Sequence, residues 1–198
     1  LIEKWDTCMA DCIMRAPLIL WSPELPHGIR VDSMSEHTDL AQTILELVGL
    51  KADWGMHGES LLPCIQGTRR KTTVFADGGH EEEMWRRFNF GGHNTAAADR
   101  AHTGKQLTYQ QQPAAMARTK MARSERYKLV IRLAGGNELY DVHADPWELD
   151  NRWGDPALDD VVRTLQQQMI EWCLRTDTDR PFQANVGAQP SLPPMSRS

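Results

Sequence analysis

No stretch of this chain approaches the about 18 to 20 consecutive apolar residues that a membrane-spanning helix requires, and the longest apolar run, Pro17 to Trp21, is only strand-sized. There is no basic tract either. Lys and Arg total 22 against 27 Asp and Glu, giving a net charge of −5 and an isoelectric point near 5.8, a balance that disfavours nucleic acid as a partner. Cysteine is sparse, with Cys8, Cys12, Cys64 and Cys173 and no C-x-x-C spacing, so the four read as small buried hydrophobes and leave the redox compartment open. Three signatures are missing: G-x-S-x-G, G-x-x-x-x-G-K-[ST] and G-x-G-x-x-G, which removes the commonest hydrolase elbow and nucleotide cradles. The first residues, Leu1-Ile2-Glu3-Lys4-Trp5-Asp6, have no Met, no basic region and no apolar segment of a leader. The chain reads as one cut in its middle, with part of its chemistry expected on residues outside it.

What is present suits a folded chain. Of 198 residues 40% are hydrophobic and 25% charged, with seven Trp and nine Met, so enough apolar surface exists to offset chain entropy. Pro17-Leu18-Ile19-Leu20-Trp21, closed by Ser22-Pro23, predicts a strand buried on both faces, as in a parallel sheet under helices. Asp39 stands at a predicted N-cap with Gln42 three residues on, and Leu40, Ala41, Ile44, Leu45, Leu47 and Val48 follow at helical spacing up to Gly49. Residues 51–70 read as a connection, and Thr72 to Ala76 as a strand closed by Gly78-Gly79.

The stretch from His80 to Gln112 has little hydrophobic periodicity and reads as a long loop. Lys120 to Ser124, Arg126 to Leu133 and Glu138 to Asp141 predict an antiparallel meander. After Asp155-Pro156 the set Leu158, Val161, Val162, Leu165, Met169, Trp172 and Cys173 keeps helical spacing, which predicts one long helix with its stripe on the sheet. The Pro-bearing tail beyond residue 180 is left unstructured. The expected fold class is therefore α/β, with an edge at residues 1–70, an α+β subdomain of antiparallel strands and one long helix at 71–180, and a flexible tail at 181–198.

Candidate chemistry is thin. Lys4 precedes the segment leading into the predicted buried strand, a place where a fold can aim an ammonium at an anion, although most lysines near a terminus are simply solvated. His80-Glu81-Glu82-Glu83 with His93 holds ligand-type side chains, but the contiguous spacing matches no H-E-x-x-H and favours a solvated loop over a metal site. His37 and Asp39 could pair for acid–base work, yet a cap for the helix explains Asp39 without a substrate.

Four segments in order resemble the C-terminal part of the sulfatase family of the alkaline-phosphatase superfamily. Glu3-Lys4 followed by Arg15-x-Pro17-Leu18-Ile19 is similar to a family segment carrying a lysine ahead of a buried strand. Ser35-x-His37-Thr38-Asp39-Leu40-Ala41-x-Thr43-Ile44-Leu45 resembles the family's "S-H-x-D-L-A-P-T-L-L" helix, with Gln42 where the family has proline. Gly58-Glu59-Ser60-Leu61-Leu62-Pro63 resembles "G-x-S-L-L-P". Arg126-Tyr127-Lys128-Leu129 with Glu138-Leu139-Tyr140-Asp141 and Asp145-Pro146-x-Glu148-x-x-Asn151 resembles "R-Y-K-L … E-L-Y-D … D-P-x-E-x-x-N".

The resemblance implies the C-terminal part of an alkaline-phosphatase-like sulfatase fold. It implies sulfate-ester hydrolysis in the complete enzyme by a formylglycine made in a C/S-x-P-x-R motif, beside a divalent cation, with calcium the expected ion. That motif does not occur in this chain, so both groups are expected to be formed or bound by residues outside it, and the fragment alone is expected to be inactive. Only Lys4 maps onto a family catalytic position, as a cation stabilising charge on sulfate oxygens. The loop from His80 becomes a candidate for contact with a sulfated small molecule or glycan, through His80, Arg86, Arg87 and His93. The rivals are a phosphonate or phosphodiester hydrolase on the same scaffold, separable by a substrate panel, and a noncatalytic module binding anionic glycans or a partner protein, which would bind without any metal.

Overall fold

The computed structural model describes residues 8–51, 55–79 and 117–176. Its centre is a four-stranded antiparallel sheet in the order β1-β2-β3-β4, formed by β1 (Thr73–Gly78), β2 (Thr119–Ser124), β3 (Tyr127–Arg132) and β4 (Glu138–Asp141). The predicted meander and the strand before it thus join in one sheet. β2 and β3 are linked by Glu125-Arg126, with Ser124 Oγ accepting from the Tyr127 amide at 3.0 Å to close the connection.

Alternation along the strands gives the sheet two different faces. One carries Phe75, Ala122, Leu129 and Leu139 and packs against α4 (Asp159–Thr176), an 18-residue helix entered through a 3-10 turn at Pro156–Leu158. Leu165 and Met169 are the helix's buried contacts, with Leu158, Val161, Val162 and Cys173 around them, as the spacing predicts. Trp172 stacks on Phe75 with ring centroids 5.4 Å apart. Asp155 starts this segment, its carboxylate accepting from the Ala157 amide at 2.9 Å.

The opposite face carries Met121, Lys128 and Val130, and Met9 covers it with Ala76 at its edge. Met9 leads directly into α1 (Asp11–Met14). Toward β1, Gly79 (φ +82°) passes so close to Ala117 that a Cβ would lie 2.2 Å from its carbonyl oxygen, so glycine is required there both by conformation and by space.

Two expectations fail. Residues 17–21 form no strand: they make no backbone hydrogen bond among the described residues, and Ile19 and Trp21 are 89% and 76% exposed. No described strand lies beside them to satisfy their backbone groups, and apolarity alone does not make a ladder. The second is Asp39, which is not the cap of α2 (His37–Leu47). Glu36 occupies the N-cap and Asp39 the third helical position, its Oδ2 accepting from the Glu36 amide at 2.9 Å. A short α3 (Leu62–Ile65) falls in the expected connection. Among the described residues no helix is long and apolar enough to cross a membrane.

Leu129 is fully buried between sheet and helix, so Leu129→Ala is expected to cost about 2–5 kcal/mol. A urea midpoint within experimental error of the parent would contradict this core.

Candidate functional site

Two buried polar junctions dominate the described residues. The first is built on α2, which points Asp39 and Thr43 inward while Ile44 and Val48 face solvent. Of the apolar stripe that the spacing predicts, Leu40, Leu45 and Leu47 are half-buried, while the two fully buried positions are polar. They can be buried because each is paired. The Asp39 carboxylate accepts from Lys71 Nζ at 2.9 and 3.0 Å and from the Glu59 amide at 2.9 Å, while the Leu61 amide donates to Thr43 Oγ1 at 2.9 Å. Lys71 also pairs with Glu36, whose other oxygen accepts from the Phe75 amide at 2.6 Å. Burial would lower the Lys71 pKa, but its hydrogen bonds to Glu36 and Asp39 hold the ammonium above its ordinary range. Gly58 fits beneath the helix start because a Cβ there would sit 1.9 Å from the Thr38 carbonyl oxygen.

The second junction lies under the other face of the sheet. Lys128 is fully buried, and its Nζ donates to the Met9 carbonyl at 2.9 Å and to Glu148 Oε1 at 2.5 Å, and also pairs with Asp11. Arg123 reaches Asp11 at 3.1 Å, and the Asp11 amide donates to Glu148 Oε1 at 3.1 Å. Burial pushes the Glu148 carboxyl up, only partly offset by Lys128, whereas at Asp11 burial is outweighed by the bonds from Lys128 and Arg123, which hold its carboxyl low. Tyr140, which stands opposite Lys128 on β4, is also raised, by burial first and then by Glu138.

The remaining motif residues also brace the backbone. Arg126 clasps Asp141 at 2.7 and 3.0 Å, and Asp141 Oδ1 accepts from the amides of His143 and Ala144. Asn151 accepts from the Leu139 amide at 3.0 Å, and Asp145 from the amides of Leu149 and Asp150. These side chains spend their polar groups on the chain itself.

Lys4, His80, Arg86, Arg87 and His93, together with the Glu81-Glu82-Glu83 run, lie outside the described residues. No group of three His, Cys, Asp or Glu among the described residues could hold a metal ion, and the buried carboxylates are engaged by lysine, arginine and amides. The described residues therefore do not fit the divalent cation, and no reaction step is assigned to them. Sequence reading named Lys128 and Glu148 only as motif positions without a role, and missed Lys71 and Asp11. A signal existed for Lys128: in Tyr-Lys-Leu-Val-Ile-Arg a lysine shares a strand face with Val130, at a position that alternation buries.

Compared with known proteins, the chain matches no family profile and no curated protein. Solved structures do match. The phosphonate monoester hydrolase SpPMH from Silicibacter pomeroyi is 25% identical with a TM-score of 0.57, over 78% of this chain and 28% of that one. The phosphonate monoester hydrolase of Agrobacterium radiobacter is 21% identical with a TM-score of 0.52, over 73% and 26%. BT1596, a 2-O GAG sulfatase, is 21% identical with a TM-score of 0.49, over 71% and 25%. The chain is thus similar in fold to part of these two phosphonate monoester hydrolases, and it spans about a quarter of their length.

The Glu148 carboxyl, raised above its ordinary 4.5, binds its proton more tightly in the folded chain. Its contribution to stability is therefore present below 4.5 and is lost as pH rises through the folded value. Glu148→Gln removes this titration, so its stability relative to the parent is expected to climb with pH across that window. Chemical denaturation at a series of pH values measures it, and a falling difference would contradict the sign.

Proposed function

We propose that this chain is the C-terminal portion of a hydrolase that cleaves sulfate esters, and that its described residues are supporting structure for reacting groups placed elsewhere. The observation that carries this reading is how the resembling sequence blocks meet. Asp39 and Thr43 bind the amides of Glu59 and Leu61, so the second block is bonded to the third, and Lys128 pairs with Glu148 inside the fourth. Segments similar to one family are thereby the ones that brace one another.

In this reading residues 1–70 are the C-terminal edge of an α/β catalytic domain, 71–180 its α+β subdomain and 181–198 a terminal tail. The run 17–21 supports it, since an exposed apolar segment that makes no backbone hydrogen bond among the described residues suits a sheet built from other parts of a longer polypeptide. Lys4 is the proposed catalytic ammonium, stabilising charge that develops on sulfate oxygens. The divalent cation, calcium by expectation, and the formylglycine belong to residues outside this chain. His80, Arg86, Arg87 and His93 are proposed to meet a sulfated small molecule or glycan.

The second reading, a phosphonate monoester or phosphodiester hydrolase, is favoured by one observation: the Silicibacter pomeroyi and Agrobacterium radiobacter structures, whose TM-scores of 0.57 and 0.52 exceed that of BT1596, carry the phosphonate activity in their names. A panel of an aryl sulfate, an aryl phosphonate monoester and an aryl phosphodiester, offered to the complete enzyme, separates the two. Preference for the sulfate supports the first, and preference for either phosphorus ester replaces it with the second. The 198-residue chain alone, supplied with calcium, is expected to turn over none of the three, and turnover would overturn the supporting role. In the complete enzyme His80→Ala or Arg87→Ala should change KM ratios between substrates, and unchanged ratios would remove that stretch from substrate contact.

A further inference from the structure

We propose that Lys128 and Glu148 are positioning residues that fix the entering segment at Met9 to Asp11 against the subdomain's sheet, and through it set the placement of the catalytic ammonium on Lys4. The link to Lys4 rests on the function proposed above; the tether itself does not.

Glu148 is the one non-glycine residue with a positive φ, +56°, among the described residues. Such a conformation is unfavourable for a side chain with a Cβ, and it persists only where surrounding contacts demand it. Here the turn of backbone brings the Glu148 carboxylate inward, while its neighbours Trp147 and Leu149 stand exposed. One carboxylate oxygen then serves two partners, Lys128 Nζ at 2.5 Å and the Asp11 amide at 3.1 Å. Lys128 in turn donates to the Met9 carbonyl, so two residues from the sheet side hold two backbone groups of the entering segment. These bonds join positions 119 and 137 residues apart in the chain.

The tether is polar and directional where the hydrophobic packing is small. On that face only Met9, Met121 and Val130, with Ala76, form the apolar contact among the described residues. Apolar packing tolerates sliding, whereas a buried ammonium with a carbonyl and two carboxylates fixes one register, because any displacement leaves a desolvated charge without a partner. Lys4 lies five residues before Met9, within about 18 Å even along a fully extended chain. An ammonium that must sit against one developing charge gains from a segment anchored so near to it.

Cys8, half-buried beside Met9, reports on the tether in the unmodified sequence, with Cys12 exposed and Cys64 buried as fast and slow references. Glu148→Gly relieves the backbone conformation while deleting the carboxylate, and Glu148→Gln keeps an oxygen acceptor at nearly the same place. Labelling by a thiol reagent that works near neutral pH, located by peptide mass mapping, is expected to speed at Cys8 about tenfold in Glu148→Gly and to stay near the parent rate in Glu148→Gln, with Cys64 unchanged in both. If Glu148 serves only its own turn, Glu148→Gly leaves Cys8 protected and the tether is refuted. Faster labelling at Cys64 in Glu148→Gly marks general unfolding; Lys128→Met then decides, and slow Cys8 labelling in that variant refutes the tether as well.

In the complete enzyme Glu148→Gly is expected to lower kcat about tenfold with little change in KM, and Glu148→Gln to restore most of it. Freed Cys8 with unchanged kcat would refute the positioning role while leaving the proposed function standing. Full activity of Lys4→Ala would refute the function and leave the tether standing.

Discussion

A buried ammonium cannot be left alone, and the architecture around Lys128 follows from that constraint. Taking the charge of Lys128 out of water costs several kcal/mol unless acceptors surround it. Two segments far apart in sequence supply them: the start of α1, with the Met9 carbonyl and the Asp11 carboxylate, and the loop after β4, with Glu148. Meeting this demand closes the second face of the sheet, gives Glu148 its left-handed backbone and leaves Arg123 to balance Asp11. The face under α4 has no such requirement and is held by ordinary apolar packing.

The same logic repeats at Lys71 with a different outcome. There the carboxylates of Glu36 and Asp39 come from the N-cap and first turn of α2, and the cluster connects that helix to the first strand through the Phe75 amide. Two ionic junctions therefore join the segment before residue 71 to the sheet, and the apolar contact between them is slight. Resistance to salt is expected to come from their burial, since screening acts weakly on charges that solvent does not reach.

Strands and the long helix are legible in the sequence because periodicity reports burial on a regular element. Val161, Val162, Leu165 and Met169 recur at helical spacing and do pack on Ala122 and Leu129. Periodicity fails where burial is polar: Asp39 reads as a cap and Thr43 falls outside the apolar stripe, yet they are the two buried positions of α2, since pairing partners on Lys71 and residues 59–61 lie too far along the chain for a local pattern to reveal. It fails again at residues 17–21, where composition promises a strand but strand formation depends on neighbours. Motif order is more informative than any single residue, and the residues it singles out among those described, Asp39, Arg126, Asp141 and Asn151, prove to brace turns and helix starts.

The separation between Met9 and Lys128 has a consequence for synthesis. The carbonyl leaves the ribosome 119 residues ahead of the ammonium that will hold it, a wait of about 6 to 24 s at about 5–20 residues per second. During it β1 and β2 are made while Lys128 is still missing, and Leu18, Ile19 and Trp21 emerge before any strand of the sheet, as apolar side chains open to a ribosome-associated chaperone.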